Sequence, residues 1–116
     1  MVTVYRIQDA DGRGPFKPGF SKRWVIERDD QENLMPWIIE MPNVLSLSSG
    51  WPLGCGCRTI DQLKRWFTRK EYRKLVSLGY RAVQISGVRV LGESATQCVF
   101  ECQTRLSEAG AEIKLY

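Results

Sequence analysis

All five prolines of this 116-residue chain fall between residues 15 and 52: Pro15, Pro18, Pro36, Pro42 and Pro52. Each removes a backbone donor and biases the residue before it away from helix, so this stretch has room only for short elements. Longer regular structure must come from the first residues and from the half of the chain after Pro52. Within the proline-rich part, a turn or two of helix is predicted between Ser21 and Glu32, with Ser21 as cap and Trp24, Val25 and Ile26 clustered behind it. Ser46-Leu47-Ser48-Ser49-Gly50 reads as an exposed loop.

Residues 2–8 alternate. Val2, Val4 and Arg6 point one way in an extended chain, and Thr3, Tyr5 and Ile7 the other, which predicts a strand with one charge among apolar neighbours. Asp9-Ala10-Asp11-Gly12-Arg13-Gly14-Pro15 supplies turn-formers at nearly every position, so a sharp glycine-rich loop follows.

The clearest periodicity runs from Thr59 to Leu78. Thr59 with Gln62 forms one capping-box pattern and Thr68 with Glu71 a second, while Leu63, Trp66 and Phe67, then Tyr72, Leu75, Val76 and Leu78, supply apolar faces. One kinked helix or two short helices fit equally, and Gly79 sits where a left-handed C-terminal cap belongs. Tyr80–Ile85, Gly87–Leu91 and Thr96–Gln103 are β-prone runs separated by turn residues, and the tail predicts a helical turn and a strand over Ile113–Tyr116. The expected fold class is therefore α+β: a small antiparallel sheet with one or two helices, about 59–78, packed on it. A chain of this size holds one core, so residues 1–116 are expected to form a single compact domain.

Hydrophobic residues at 43% and charged residues at 26% exclude a disordered or low-complexity chain. No apolar run approaches the roughly 20 residues that span a bilayer, and the N-terminus lacks a basic segment followed by an apolar one. A cytoplasmic protein is expected, with no membrane partner. Histidine is absent, which removes the commonest proton shuttle near neutral pH and imidazole metal ligation.

Cys55 and Cys57 are spaced C-x-C, and Cys98 and Cys102 C-x3-C; neither pair has the knuckle spacing of structural zinc sites. Cys98 and Cys102 are expected to pack as small buried thiols, and Cys55 and Cys57, between glycines, to be more exposed. Asp9 and Asp11 lack the later ligands of a calcium loop, and Gly12-Arg13-Gly14 is followed by Pro15 and Phe16 rather than a helix with a third glycine. No metal and no cofactor is implied by these motifs.

Charge is segregated. Residues 58–81 carry eight basic side chains against Asp61 and Glu71, a net of +6, against −2 for the rest. Arg65, Arg69 and Arg73 recur every fourth residue and would stack, beside Lys70, along one ridge of a continuous helix. Such a ridge suits nucleic-acid phosphates or an acidic protein, although a solvated helix face has the same pattern. Glu27, Asp29, Asp30 and Glu32 form an acidic cluster, expected either to face the ridge in the fold or to offer a second contact surface. Of four tryptophans, Trp24, Trp37 and Trp66 are assigned to the core, and Trp51, beside Pro52 and Gly50, to a loop where it can anchor an interface.

Val4-Tyr5-Arg6-Ile7, the Gly12–Phe16 loop, the Gly56–Phe67 run and Gln97-Cys98-Val99-Phe100 together resemble small uncharacterised proteins of bacteria and their phages. The layout also resembles a trimmed ADP-ribosyltransferase core. That likeness implies a first-strand Arg6, a helix-opening Thr59 and a late-strand Gln97 arranged around NAD, with Gln97 in the place of the glutamate that serves ribosyl transfer. A neutral glutamine there implies NAD binding more readily than turnover.

Three readings of function are therefore open. The first is a phage or mobile-element accessory protein that binds a host protein or nucleoprotein complex in the host cytosol, for instance an anti-CRISPR-like inhibitor. Its binding residues would be Arg65, Arg69, Lys70 and Arg73, with Asp29, Asp30, Glu32 and Trp51. The alternatives are an NAD-dependent ADP-ribosyltransferase-like enzyme using Arg6, Thr59 and Gln97, and a nucleic-acid-binding module using the basic helix. Oligomeric state is not encoded in any of these patterns.

Overall fold

The computed structural model describes residues 2–16, 23–24 and 36–116. Its scaffold is an antiparallel sheet built on one long strand. β1 (Val2–Gln8), β2 (Leu53–Gly56), β3 (Arg81–Glu93), β4 (Cys98–Glu101) and β5 (Ala111–Ile113) assemble in the order β1-β3-β4-β2, with β5 also on β3. Among the described residues four helices decorate it: α1 (Trp37–Glu40), α2 (Ile60–Trp66), α3 (Arg69–Ser77) and α4 (Leu106–Ala109), with a 3-10 turn over Val44–Leu47. The architecture is α+β, as expected, and its 13.3 Å radius of gyration is that of one compact domain, for which about 13 Å is usual at this length.

β3 reaches thirteen residues because Ser86-Gly87 does not end the strand. The register passes from Val4↔Ile85 to Val2↔Val88, so one extra β3 residue bulges out there, and Gly87 takes φ +73°, which a side chain would resist. The two β-prone runs predicted as separate strands are thus halves of one. The first half pairs with β1 and β5 and the second with β4. Tyr5 and Cys57 then exchange both backbone hydrogen bonds at 2.8 Å, linking β1 to the end of β2. The sheet is curled into a closed circuit of four strands.

The helical region is two helices rather than one. Both capping boxes form: the Thr59 and Thr68 hydroxyls accept from the Gln62 and Glu71 amides, and the Gln62 and Glu71 side chains accept in return from the backbone N–H of Thr59 and Thr68. The second box starts a new helix at Arg69, so Phe67 and Thr68 take extended backbone between the two. α3 ends as predicted at Gly79, φ +93°, where the Tyr80 N–H donates to Leu75 and the Gly79 N–H to Val76.

Strand alternation divides the core. Ile7 and Ala82 pack with Trp24, Cys57, Leu63, Phe67, Leu75, Tyr80 and Leu115, the α2–α3 side. Val4, Val83 and Ile85 pack with Val88, Cys98, Phe100 and Cys102 on the opposite face, where Leu106 and Ala109 of α4 join them. Arg6 and Gln8 share the strand parity of Val4, so they point into this second cluster.

The C-terminal strand forms over Ala111–Ile113 rather than Ile113–Tyr116, because β5 enters its register with β3 directly after α4. The helix predicted within Ser21–Glu32, together with Asp29, Asp30 and Glu32, lies outside the described residues, apart from Arg23 and Trp24. Trp24 is fully buried, as assigned. Among the described residues no helix is long and apolar enough to cross a membrane.

Candidate functional site

A cleft of about 1380 Å³ opens where β1, the Gly12–Phe16 loop and β2 meet. Its extent follows from glycines. A Cβ on Gly54 would stand 2.3 Å from Nη1 of Arg6, and one on Gly56 2.8 Å from the Tyr5 carbonyl oxygen, so only glycine lets β2 approach β1 this closely.

Arg6 is the central polar group of the cleft. It is only 6% exposed, Nη1 donates to the Cys55 carbonyl and Nη2 to the Gly12 carbonyl, each at 3.2 Å, and Nε has no partner among the described residues. Among the described residues no carboxylate forms an ion pair with it. Burial lowers its pKa from the ordinary arginine value, with Cys55, Cys102 and Asp9 opposing, but a guanidinium keeps its charge in a protein. The Asp9 carboxylate instead accepts from the backbone N–H of Asp11 and Arg13 and shapes the loop.

Gln97 lines the same cleft, and its Nε2 donates to Glu40 of α1 at 3.1 Å. Thr59 does not line it; its hydroxyl is spent on the α2 cap. Of the three residues assigned by the ADP-ribosyltransferase resemblance, the fold therefore brings Arg6 and Gln97 to one cleft and gives Thr59 a structural task. Aromatic rings form another wall: Phe16 lies 5.7 Å, centroid to centroid, from both Trp66 and Phe67.

The basic helix face is the second candidate. Arg65, Arg69, Lys70 and Arg73 are all exposed, but the break at Phe67–Thr68 divides the continuous ridge that the four-residue spacing implied. Arg69 and Arg73 remain one turn apart on α3, while Arg65 belongs to α2. Glu71 is turned away from this face: its side chain is fully buried, with Oε1 accepting from the Thr68 N–H. The ring of Tyr116 bridges the two helices, with Lys64 Nζ 4.9 Å and the Arg69 guanidinium 5.5 Å from its centroid. Trp51 is half-buried.

The cysteines are free. Cys57, expected to be more exposed, is buried because its backbone pairs with Tyr5 while its side chain faces the α2–α3 core. Burial raises the thiol pKa of Cys57, and pushes that of Cys98 up to about 12. Cys55 is half-buried at the cleft; burial raises its pKa too, with Arg6 opposing. Among the described residues no cluster of three or more His, Cys, Asp or Glu is placed to hold a metal.

Sequence reasoning missed Glu101. It is fully buried, and accepts from the hydroxyls of Ser48 and Ser49 and from the Ser49 N–H. No periodicity signals a carboxylate in a four-residue buried strand; the one cue is the pair of serines in the loop it holds.

Fold and site together define a small α+β domain: a curled antiparallel sheet, an arginine-centred cleft and a basic pair of helices. The chain belongs to the bacteriophage T4 Y00F protein family, whose model matches residues 1–113. It is thus a phage-type accessory protein. No curated protein and no solved structure matches it, and an ADP-ribosyltransferase relationship finds no support in these comparisons.

Proposed function

We propose that this phage accessory protein acts by binding, holding an acidic surface of a host protein or nucleoprotein complex against α2 and α3. An anti-CRISPR-like inhibitor of a host defence complex is the form this would take. The carrying observation is that Arg65, Arg69, Lys70 and Arg73 are exposed while Glu71 is turned into the core, which leaves the outward face cationic. Guanidinium groups pair with carboxylate or phosphate through two parallel hydrogen bonds, and a concentrated patch speeds encounter with an acidic partner. Trp51, half-buried before β2, would add a separate aromatic contact.

The test is capture from nuclease-treated host lysate by the wild-type protein and by a variant combining Arg65→Glu, Arg69→Glu and Arg73→Glu. A stoichiometric protein partner held by the wild type and lost by the folded variant supports the reading. Equal capture by both removes it. Capture that disappears with nuclease, and an affinity falling steeply with salt, would favour the nucleic-acid-binding alternative.

A further inference from the structure

We propose that the Arg6 cleft is a binding site for a phosphate monoester carried on a planar ring, a ligand of the nucleoside monophosphate class. The site is separate in residues and chemistry from the basic helix face.

Three observations converge on it. Among the described residues Arg6 is a buried cation without an ion-pair partner, and each of its two Nη atoms spends one hydrogen on a carbonyl, leaving one for a ligand. Burying a charge is costly unless an opposite charge or a full set of hydrogen bonds compensates, and here Nε also lacks a partner. An anion in the cleft would supply the missing charge.

The lining then fixes how much negative charge fits. Arg13 and Arg105, both exposed, join Arg6 against Asp11, so the lining carries a net of +2. A phosphate monoester carries close to two negative charges at neutral pH, since its second pKa is about 6; a carboxylate carries one. Charge balance therefore favours the phosphate.

The ring follows from the aromatic part of the lining. Phe16 is 50% exposed and stands at the rim of an aromatic cluster with Trp66 and Phe67. Half-exposed aromatic surface beside a cationic group is suited to a ligand that is flat at one end and anionic at the other. The cleft has room for a ligand of that size.

The experiment is titration calorimetry with adenosine 5′-monophosphate, inorganic phosphate and adenosine on the wild-type chain. It is repeated on Arg6→Lys and on a variant combining Arg13→Gln with Arg105→Gln, each checked for fold by circular dichroism. Saturable binding of the monophosphate, weakened about tenfold or more without its ring or without its phosphate, is expected. The double variant alters only exposed side chains and should weaken binding by a similar factor with an unchanged melting temperature. Monophosphate binding that is absent in the millimolar range, or that is unaffected in the double variant, overturns the proposal. Equal affinity for inorganic phosphate removes the ring from it.

Discussion

Ser49 gives Glu101 both of its donors: its hydroxyl lies 2.7 Å from Oε1 and its backbone N–H 3.1 Å from Oε2. The Ser48 hydroxyl adds a third bond, and Arg89 stands 3.4 Å from Oε1 across the β3–β4 pairing. A buried carboxylate in the centre of the sheet thereby fixes the loop that leads into β2.

This relationship gives stability a dependence on acid. The Ser49 hydroxyl lowers the Glu101 pKa; burial opposes it, and the Ser49 N–H, Ser48 and Arg89 reinforce the lowering. A carboxylate whose folded pKa lies below its unfolded value, about 4.3, stabilises the fold above that value and loses the contribution as pH falls through the folded pKa. The melting temperature of the wild type should exceed that of Glu101→Gln at pH 7, and the gap should close as the pH is taken below about 4. A constant gap would show that the ionised form is not what holds the loop.

Helix starts are separable from the core. Thr59→Ala and Thr68→Ala each delete a side-chain acceptor and should cost about 0.5–2 kcal/mol in denaturant unfolding. Thr59→Ser retains the acceptor and should recover most of the loss.

Close approach at β2 makes a sharper prediction. Gly54→Ala places a methyl group 2.3 Å from Arg6 Nη1 and 3.0 Å from the Phe100 ring, so either the guanidinium or the strand must move. Overpacking of this kind costs about 1–3 kcal/mol, and calorimetric binding at the Arg6 cleft should fall with it.

Thiol chemistry should discriminate among the cysteines. Burial raises the thiol pKa of all four, so access decides: Cys57, Cys98 and Cys102 are buried while Cys55 is half-buried, and a thiol reagent at pH 8 should modify the native chain first at Cys55. Mass mapping after brief exposure identifies the site; initial labelling at Cys57 would contradict the packing described.

Local chemistry was the part of this fold written plainly in the chain. The Thr59 and Thr68 capping boxes, the Gly79 terminus and the Asp9–Gly12 turn each depend on residues within five positions of one another, and each forms where its pattern lies. What depends on distant partners was not legible. Gly87 reads as a strand end until β1 is known to lie alongside and absorb the bulge. The Arg65–Arg69–Arg73 spacing describes a ridge only if the helix continues, and the second capping box interrupts it. In the cleft, Arg6 was conspicuous as a charge in an apolar strand, yet its confinement by the Gly12 and Cys55 carbonyls depends on a loop just after β1 and a strand much later in the chain both closing on it.

The β1–β3 pairing also sets a timetable. Val2–Gln8 find their partners at residues 81–88, so this strand leaves the ribosome well before its partners and waits while the intervening residues are translated. The two capped helices can form during that interval, because their contacts are local, whereas closure through Tyr5 and Cys57 completes a circuit that depends on the late strands. A strand held unpaired for so long is exposed to mispairing with other nascent chains, and Arg6, a charge on its inward face, counters that hazard before it has any role in the finished cleft.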